Sequence, residues 1–210
     1  GSYIDENIIH ESWQLIDNIT SLYPESDISG GIFLYKRQSI ILAYLVQQAA
    51  LKNGTRPFRV CETGFGSGHS AALFLSAAPN VEVVSFDNFD RPYQMATFHA
   101  LRGLFGKRLS QSVGDSCKTI KTYTKKCDFL HGSSLCRTDN IDLINKADVG
   151  VTLTSTAMNS LYDRSVYFGK HAQWATLRKK GCIENIVCFE EEAAQLDAKL
   201  YLARGKEQKI

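Results

Sequence analysis

The sequence predicts an α/β fold: a doubly wound, seven-stranded, mostly parallel sheet with an antiparallel C-terminal edge strand and an N-terminal helical cap. Two observations predict it. From residue 57 onward, short apolar runs alternate with helix-like segments through short connections, which is typical of parallel strands covered on both faces. The last two strand-like runs leave no room for a crossover helix, so we expect them to pair antiparallel.

The first 56 residues form the predicted helical cap, and residues 57–210 form the predicted core domain. Residues 5–22 carry apolar side chains at helical spacing and end at YPESD. Residues 37–52 show a second helical pattern that ends at KNGTRP. Both segments are therefore predicted to be helices ahead of the first strand.

The core then alternates between strands and helices. The predicted strands are FRVCET, VEVVSFD, RLSQSVGD, CDFLHG, VGVTLT, NIVCFEE and AKLYLAR. The predicted helices are HSAALFLSAA, YQMATFHALRGLF, CKTIKTY, TDNIDLINKA and a segment around VYFGKHAQWATLRKKG.

Composition and charge exclude two classes of partner. The 210 residues are 44% hydrophobic and 22% charged, which is ordinary for one globular domain. A net charge of +2, from 24 basic and 22 acidic residues, gives no field that would attract nucleic acid. The longest apolar run, IILAYLV, is far shorter than the roughly twenty residues of a membrane span.

The six cysteines lack the spacing of a structural zinc site. Cys61 and Cys127 stand in apolar strand-like runs and are predicted to be buried free thiols. Pairing among the other cysteines stays open from spacing alone. They are Cys117, Cys136, Cys182 and Cys188.

Two glycosylation sequons, at Asn18 and Asn53, are no more than chance would produce and matter only on a secretory route. The opening Gly-Ser looks like an expression remnant, so a natural N-terminus and its targeting signal are expected to be missing. The compartment is thus open, and the cytoplasm is the one we favour. The oligomeric state is not predicted.

Gly64, Gly66 and Gly68 follow the first predicted strand and precede a helix. In an open α/β sheet the ligand crevice lies beyond the carboxyl ends of the strands, beside this turn. Glycines there adopt positive φ and allow backbone amides to approach a ligand. The turn therefore predicts a nucleotide-like ligand.

Two ligands use such a turn. Gly66, Gly68 and Ala71 match the dinucleotide pattern G-x-G-x-x-G/A, and Asp87, about twenty residues on, would bind a ribose. The second ligand is S-adenosylmethionine (SAM), which has no phosphate. Acidic residues at three successive strand ends, Glu62, Asp87 and Asp115, favour SAM.

Glu62 followed by Gly64, Gly66 and Gly68 resembles motif I of the class I, Rossmann-like, SAM-dependent methyltransferases. Over roughly residues 30–205 the chain is most similar to the small-molecule branch labelled methyltransferase family 24. The resemblance implies SAM as cofactor and S-adenosylhomocysteine (SAH) as product.

The resemblance also implies roles for individual residues. Asp87 would bind the ribose hydroxyls, Asp115 with Ser116 the adenine amine, and Glu62 would act through the loop. The cofactor-binding residues so implied are Glu62, Gly64, Phe65, Gly66, Ser67, Gly68, Asp87, Asn88, Asp115 and Ser116.

The chain departs from the family at the fourth and fifth strands. His131-Gly132 stands where Asp-Gly is usual, and the later acids are replaced by Thr154, Ser155 and Asn159. Only Asp128 remains, at the start of the fourth strand, so no metal site and no metal requirement are expected.

His131 has two possible roles. An imidazole with a pKa near 6.5 is suited to deprotonating an attacking hydroxyl, which makes His131 the candidate catalytic base. Alternatively, His131 closes the strand end as a hydrogen-bonded, packed residue. Tyr162, Asp163 and Arg164, in a polar stretch after the fifth strand, are the candidate substrate contacts.

The sequence thus predicts a metal-independent SAM-dependent methyltransferase acting on a small-molecule acceptor, with oxygen as a candidate atom. One alternative is a degenerate relative that binds SAM or SAH without turnover. Another is an NAD-dependent oxidoreductase, against which stand Glu62, Asp115 and the lack of a Tyr-x-x-x-Lys set.

Overall fold

The computed structural model describes the backbone of residues 6–28, 36–132, 147–156, 183–193 and 196–205, and the side chains of residues 6–28 and 39–132. The two cap helices are confirmed. They are α1 (Glu6–Thr20) and α2 (Lys36–Lys52).

The first part of the core has the predicted order. Its elements are β1 (Phe58–Thr63), α3 (His69–Ala77), β2 (Val81–Asp87), α4 (Gln94–Phe105), β3 (Leu109–Val113), α5 (Ser116–Thr122) and β4 (Cys127–Gly132). The predicted helices TDNIDLINKA and the one around VYFGKHAQWATLRKKG lie outside the described residues.

Strands β1 to β4 form a parallel sheet with the order β3-β2-β1-β4. Thr63 lies beside both Phe86 and Gly132, and Asp87 lies beside Val113. The carboxyl ends of the four strands are therefore level, and the loops that follow them open onto one edge. The prediction of an α/β fold with a parallel sheet is confirmed.

The backbone continues through β5 (Ala147–Thr156), β6 (Ile183–Ala193) and β7 (Leu196–Gly205). Strand β5 is parallel to β4, and β7 is antiparallel to both β5 and β6. The antiparallel strand thus lies between β5 and β6, whereas the sequence placed it at the edge. The short β6–β7 connection determines that the two strands pair, but not which of them pairs with β5.

The cap helices share one hydrophobic cluster with the core. Ile16 of α1 and Leu42 and Val46 of α2 are buried together with Phe58 of β1 and Phe74 of α3. Burying a side chain of this size contributes about 1.5–3 kcal/mol. The cap therefore rests on the layer of helices that positions the glycine turn.

Cys61 and Cys127 are fully buried, as expected, but they form a disulfide, so the prediction of free thiols is wrong. Their Cα atoms are 5.7 Å apart. The bond joins β1 to the first residue of β4, ahead of the ladder that begins at Phe129. Cys117 is also disulfide-bonded.

The Cys61–Cys127 bond could not be predicted from the sequence because 66 residues separate the two cysteines. Only the pairing of β1 with β4 brings them together.

None of the helices that the structure describes has the length and apolar character needed to cross a bilayer.

Candidate cofactor-binding site

The turn between β1 and α3 has the backbone that its glycines predict. Gly64, Gly66 and Gly68 have φ values of 86°, 55° and 96°. The Gly64 amide donates to the carbonyl of Phe86 at 2.9 Å, which ties the turn to β2. The left-handed backbone at all three positions explains why glycine occupies them.

Gly68 lacks a side chain for a reason inside the protein. A Cβ there would lie 2.7 Å from Cζ of Phe65 and 2.8 Å from Cδ1 of Leu101. Phe65 is only 2% exposed, and its ring contacts those of Phe89 and Phe98 at centroid distances of 5.1 and 5.8 Å. The Phe65 side chain belongs to the core, so its contribution to the site is its backbone amide.

Asp87, at the end of β2, braces the glycine turn. Its Oδ2 accepts hydrogen bonds from the amides of Phe65 at 2.6 Å and Gly66 at 3.4 Å. Its Oδ1 accepts from the amide of Phe89 at 3.1 Å. Sequence reasoning assigned Asp87 to a ribose and missed this brace. A carboxylate has about four acceptor sites, so one remains for a ligand donor.

Glu62 is fully buried and joins β2 to the first turn of α3. The hydroxyl of Ser85 donates to Oε1 at 2.6 Å, and that of Ser70 donates to Oε2 at 2.7 Å. Burial raises the pKa of Glu62 to about 7; the Ser85 and Ser70 hydrogen bonds oppose this rise, and the charge of Asp87 adds to it. Both Glu62 oxygens thus accept hydrogen bonds inside the protein, and the side chain is not exposed at the edge where the strands end.

Asp115 caps α5 at the end of β3. Its Oδ1 accepts from the Cys117 amide at 2.9 Å, and its Oδ2 lies 3.8 Å from Nζ of Lys118. The side chain is 49% exposed, so part of the carboxylate is accessible to solvent. The Gly114 amide donates to the carbonyl of Asp87 at 2.9 Å, which joins this loop to the one after β2. Ser116 begins the helix beside it.

His131 lies beside Glu62 in the ladder between β1 and β4. It is 1% exposed, and its ring meets that of Phe74 edge-on at 5.0 Å. Burial lowers the pKa of His131 to about 4, so the imidazole is neutral at physiological pH. This pKa is well below the value near 6.5 on which the prediction of a catalytic base depends.

Helix α1 supports the start of α3 through residues that sequence reasoning missed. Nε1 of Trp13 donates to the carbonyl of His69 at 3.0 Å, and Nε2 of His69 lies 3.0 Å from Oδ1 of Asp17. Burial lowers the pKa of His69, while the hydrogen bond and charge of Asp17 oppose that shift. More than fifty residues separate these partners, so no local pattern reveals the contact.

Asp128, the acidic residue that remains in the fourth strand, does not lie where the strands end. Asp128, at the start of β4, accepts from the Arg59 amide at 2.6 Å, away from the carboxyl ends of the strands. Among the described side chains, no group of three His, Cys, Asp or Glu residues is placed to hold a metal ion. Metal independence stays a prediction.

The candidate acceptor contacts Tyr162, Asp163 and Arg164 lie outside the described residues, as does Asn159. Thr154 and Ser155 are in β5, opposite Leu200 and Lys199 of β7. The described site is therefore the half that would hold a cofactor.

No protein-family model and no curated protein matches this chain. The O-methyltransferase TomG from Streptomyces achromogenes, in complex with SAM, matches with a TM-score of 0.69, 13% identity and coverage of 93% of this chain and 90% of that chain. An O-methyltransferase from Bacillus cereus, in complex with SAH, matches with a TM-score of 0.66, 12% identity and coverage of 95% and 91%.

A putative O-methyltransferase from Klebsiella pneumoniae matches with a TM-score of 0.64, 11% identity and coverage of 95% of this chain and 90% of that chain. At these identities the three likenesses establish a shared α/β, Rossmann-like fold.

Proposed function

We propose that this chain is a class I SAM-dependent methyltransferase that transfers a methyl group to an oxygen atom of a small-molecule acceptor. The observation that carries the proposal is the position of Asp87 and Asp115 at the level ends of β2 and β3, next to a turn of three left-handed glycines. The likeness of the fold to O-methyltransferases crystallised with SAM or SAH supports it.

The chemistry of the site fits an adenosyl group. Ribose hydroxyls and an adenine amine are hydrogen-bond donors, and the strand ends present carboxylate acceptors. Charge-assisted hydrogen bonds of this type contribute about 1.5–3 kcal/mol each. Asp87 would hold the ribose, and Asp115 with Ser116 would hold the adenine edge.

The brace at Asp87 favours SAM over a dinucleotide. In a dinucleotide site the amides of the glycine turn bind the pyrophosphate. Here the amides of Phe65 and Gly66 already donate to Asp87, and its negative charge would repel a phosphate. SAM has no phosphate and requires neither of these amides for one.

Methyl transfer needs alignment more than acid–base chemistry. Bound SAM would supply a sulfonium methyl group: a C–O bond to the acceptor would form as the S–C bond breaks, SAH would leave with the electron pair, and the hydroxyl proton would pass to solvent. The chain's part is to hold the reactants and exclude water. Asp87 fixes the glycine turn on one side, and Glu62 fixes the start of α3 on the other.

Of the two roles open to His131, we propose the packed one. Its burial against Phe74 and its lowered pKa make it a weak proton acceptor. Tyr162, Asp163 and Arg164 are the proposed acceptor contacts, and no metal takes part.

The proposed architecture is that of family 24: a cap formed by residues 1–56 and a core formed by residues 57–210, with seven strands and an antiparallel C-terminal strand.

Calorimetric titration in EDTA tests the cofactor. We expect saturable binding of SAM and SAH and none of NAD(H); tighter binding of NAD(H) would overturn the proposal. Transfer of labelled methyl from SAM to a panel of phenols and other hydroxyl compounds then tests turnover. Binding of SAH without transfer to any acceptor would instead indicate the degenerate relative.

A further inference from the structure

The cysteines indicate where this chain folds. All three cysteines whose side chains are described, Cys61, Cys117 and Cys127, are disulfide-bonded. The cytosol keeps protein thiols reduced, whereas disulfides persist in secreted proteins and in the compartments that export them. Cys61 and Cys127 are fully buried, so their bond belongs to the folded interior. The disulfides therefore indicate that the chain folds in an oxidising compartment.

We propose that Asn53 is an N-glycosylation site and that the chain matures in a eukaryotic secretory pathway. Glycosylation of Asn53 does not depend on the proposed methyl transfer. Asn53-Gly54-Thr55 has the acceptor pattern Asn-x-Ser/Thr, whose modified asparagine lies in a surface loop of a secreted protein. In a secretory chain such a sequon meets the transferring enzyme. Whether the asparagine is modified then depends on where the sequon lies on the fold.

The sequon lies in a turn just after α2, in which Asn53 is half-buried and Gly54 and Thr55 are exposed. The Gly54 amide donates to the carbonyl of Leu51 at 3.1 Å, and Gly54 has a φ of 67°. A Cβ on Gly54 would meet nothing within 4 Å, and Thr55 is exposed. Space therefore surrounds the turn on its outer side.

The turn is pinned from the inside by Asn80. Its Nδ2 lies 3.0 Å from each of the carbonyl oxygens of Ala50, Gly54 and Arg56. The conformation of the turn thus does not depend on the Asn53 side chain alone, and a substituent on Asn53 leaves this support in place.

The modification keeps one of the two hydrogen bonds that the Asn53 side chain donates. A bond forms between Nδ2 of Asn53 and the anomeric carbon of an oligosaccharide carried on a lipid diphosphate. The anomeric C–O bond breaks, the lipid diphosphate leaves with the electron pair, and Nδ2 loses one proton to the transferring enzyme. One N–H remains on Nδ2, so the 3.0 Å hydrogen bond to the carbonyl of Pro57 can persist, and the longer 3.4 Å contact with the carbonyl of Arg56 is given up.

The position also keeps a glycan away from the crevice. The turn precedes Phe58 at the amino end of β1, and the glycine turn follows Thr63 at the other end. Six strand residues span about 20 Å. Asn18, in contrast, adjoins Asp17, which contacts His69 at the start of α3. We therefore assign Asn53 as the modified residue.

The test is secretion of the full chain from a mammalian cell line behind a signal peptide. The product is treated with peptide N-glycosidase F in H₂¹⁸O, and its peptides are mapped by mass spectrometry. We expect ¹⁸O-labelled conversion of Asn53 to Asp in a secreted protein without free thiols at Cys61 and Cys127. A secreted chain with bare Asn53, or one that is retained in the cell with free thiols, would overturn the proposal.

Two substitutions at one position provide matched controls. T55A destroys the sequon but keeps Asn53, whereas T55S keeps the sequon. We expect T55A to lose the glycan and T55S to retain it. Retention of the glycan in T55A would contradict the assignment.

Discussion

Gly68 and Asp87 form the interior side of the glycine turn. At Gly68 the backbone is left-handed and faces the rings and methyl groups of Phe65 and Leu101. At Asp87 one carboxylate accepts hydrogen bonds from amides in two loops. The turn is thus shaped by the protein's own packing and hydrogen bonds before any ligand arrives.

We expect G68A to destabilise the fold. A left-handed backbone with a Cβ costs about 1–2 kcal/mol, and overpacking costs about 1–3 kcal/mol more. Urea unfolding should therefore show a loss of about 2–5 kcal/mol. G103A is the matched control, since a Cβ on Gly103 of α4 meets nothing within 4 Å and helical alanine is favoured by about 0.5–1 kcal/mol. Equal stability of the two variants would contradict this account.

We expect D87N to weaken SAH binding at least tenfold, about 1.4 kcal/mol. The carboxamide places an N–H donor against backbone amides that are themselves donors, and it removes the charge offered to the ribose. Calorimetry compares D87N with D90N, which changes an exposed carboxyl three residues along the same loop. Wild-type affinity in D87N, or an equal loss in D90N, would argue against the assigned role.

Glu62 gives a pH-dependent prediction. Its folded pKa of about 7 lies above the ordinary 4.5, so its contribution to stability is complete below pH 4.5 and is lost as the pH rises through 7. E62Q removes this titration, and its amide can still pair with the hydroxyls of Ser70 and Ser85.

From pH 5 to pH 8, the unfolding free energy of E62Q relative to the wild type should rise by about 2–3 kcal/mol, since one pKa unit corresponds to about 1.4 kcal/mol. Urea unfolding of both proteins across this range measures the difference. His131 titrates in both proteins and cancels in the comparison. A difference that does not vary with pH would show that Glu62 has an ordinary pKa.

At the scale of elements, α1 is fastened to the first turn of α3. The Trp13 side chain donates to the carbonyl of His69, and its ring lies edge-on to the imidazole at 5.7 Å. Because α3 begins where the glycine turn ends, the cap helix helps to hold the turn in place.

We expect W13F to lose about 1–2 kcal/mol of stability, because an aromatic ring remains but the smaller phenyl group has no N–H to donate to the carbonyl of His69. Amide hydrogen exchange in α1 should accelerate more than in α4, since fewer contacts then oppose local opening. Q14A, an exposed neighbour in the same helix, should change stability by less than about 0.5 kcal/mol. Unchanged exchange in W13F would mean that α1 is held by other contacts.

At the scale of the whole molecule, the parallel sheet is tied covalently as well as by hydrogen bonds. The Cys61–Cys127 bond closes 66 residues that include β2, β3 and all three acidic strand ends. Such a bond restricts the unfolded chain far more than the folded one.

We expect C61A/C127A to unfold with about 2–4 kcal/mol less free energy than the wild type. In C61A alone, the thiol of Cys127 should become alkylatable after unfolding without reductant, whereas in the wild type it should not. Peptide mapping after alkylation measures this directly. An alkylatable Cys127 in the oxidised wild type would show that the bond is absent.

The sequence by itself determined the order of α1 to α5 and β1 to β4 and the left-handed glycine turn. These features rest on local patterns: the period of apolar residues, and glycine where φ is positive. The sequence also predicted that Glu62, Asp87 and Asp115 lie at one edge of the sheet, because the carboxyl ends of parallel strands meet there. The α/β fold with its parallel sheet and the meeting of these three residues at one edge were therefore predictable.

Only the tertiary structure decided what each of these residues touches. Asp87 braces the turn 21 and 22 residues away, His69 meets Asp17 across 52 residues, and Cys61 meets Cys127 across 66. The burial that lowers the pKa of His131 comes from α3 and the neighbouring strands. Such contacts depend on which elements become neighbours, and hydrophobic periodicity along the chain carries no information about that choice.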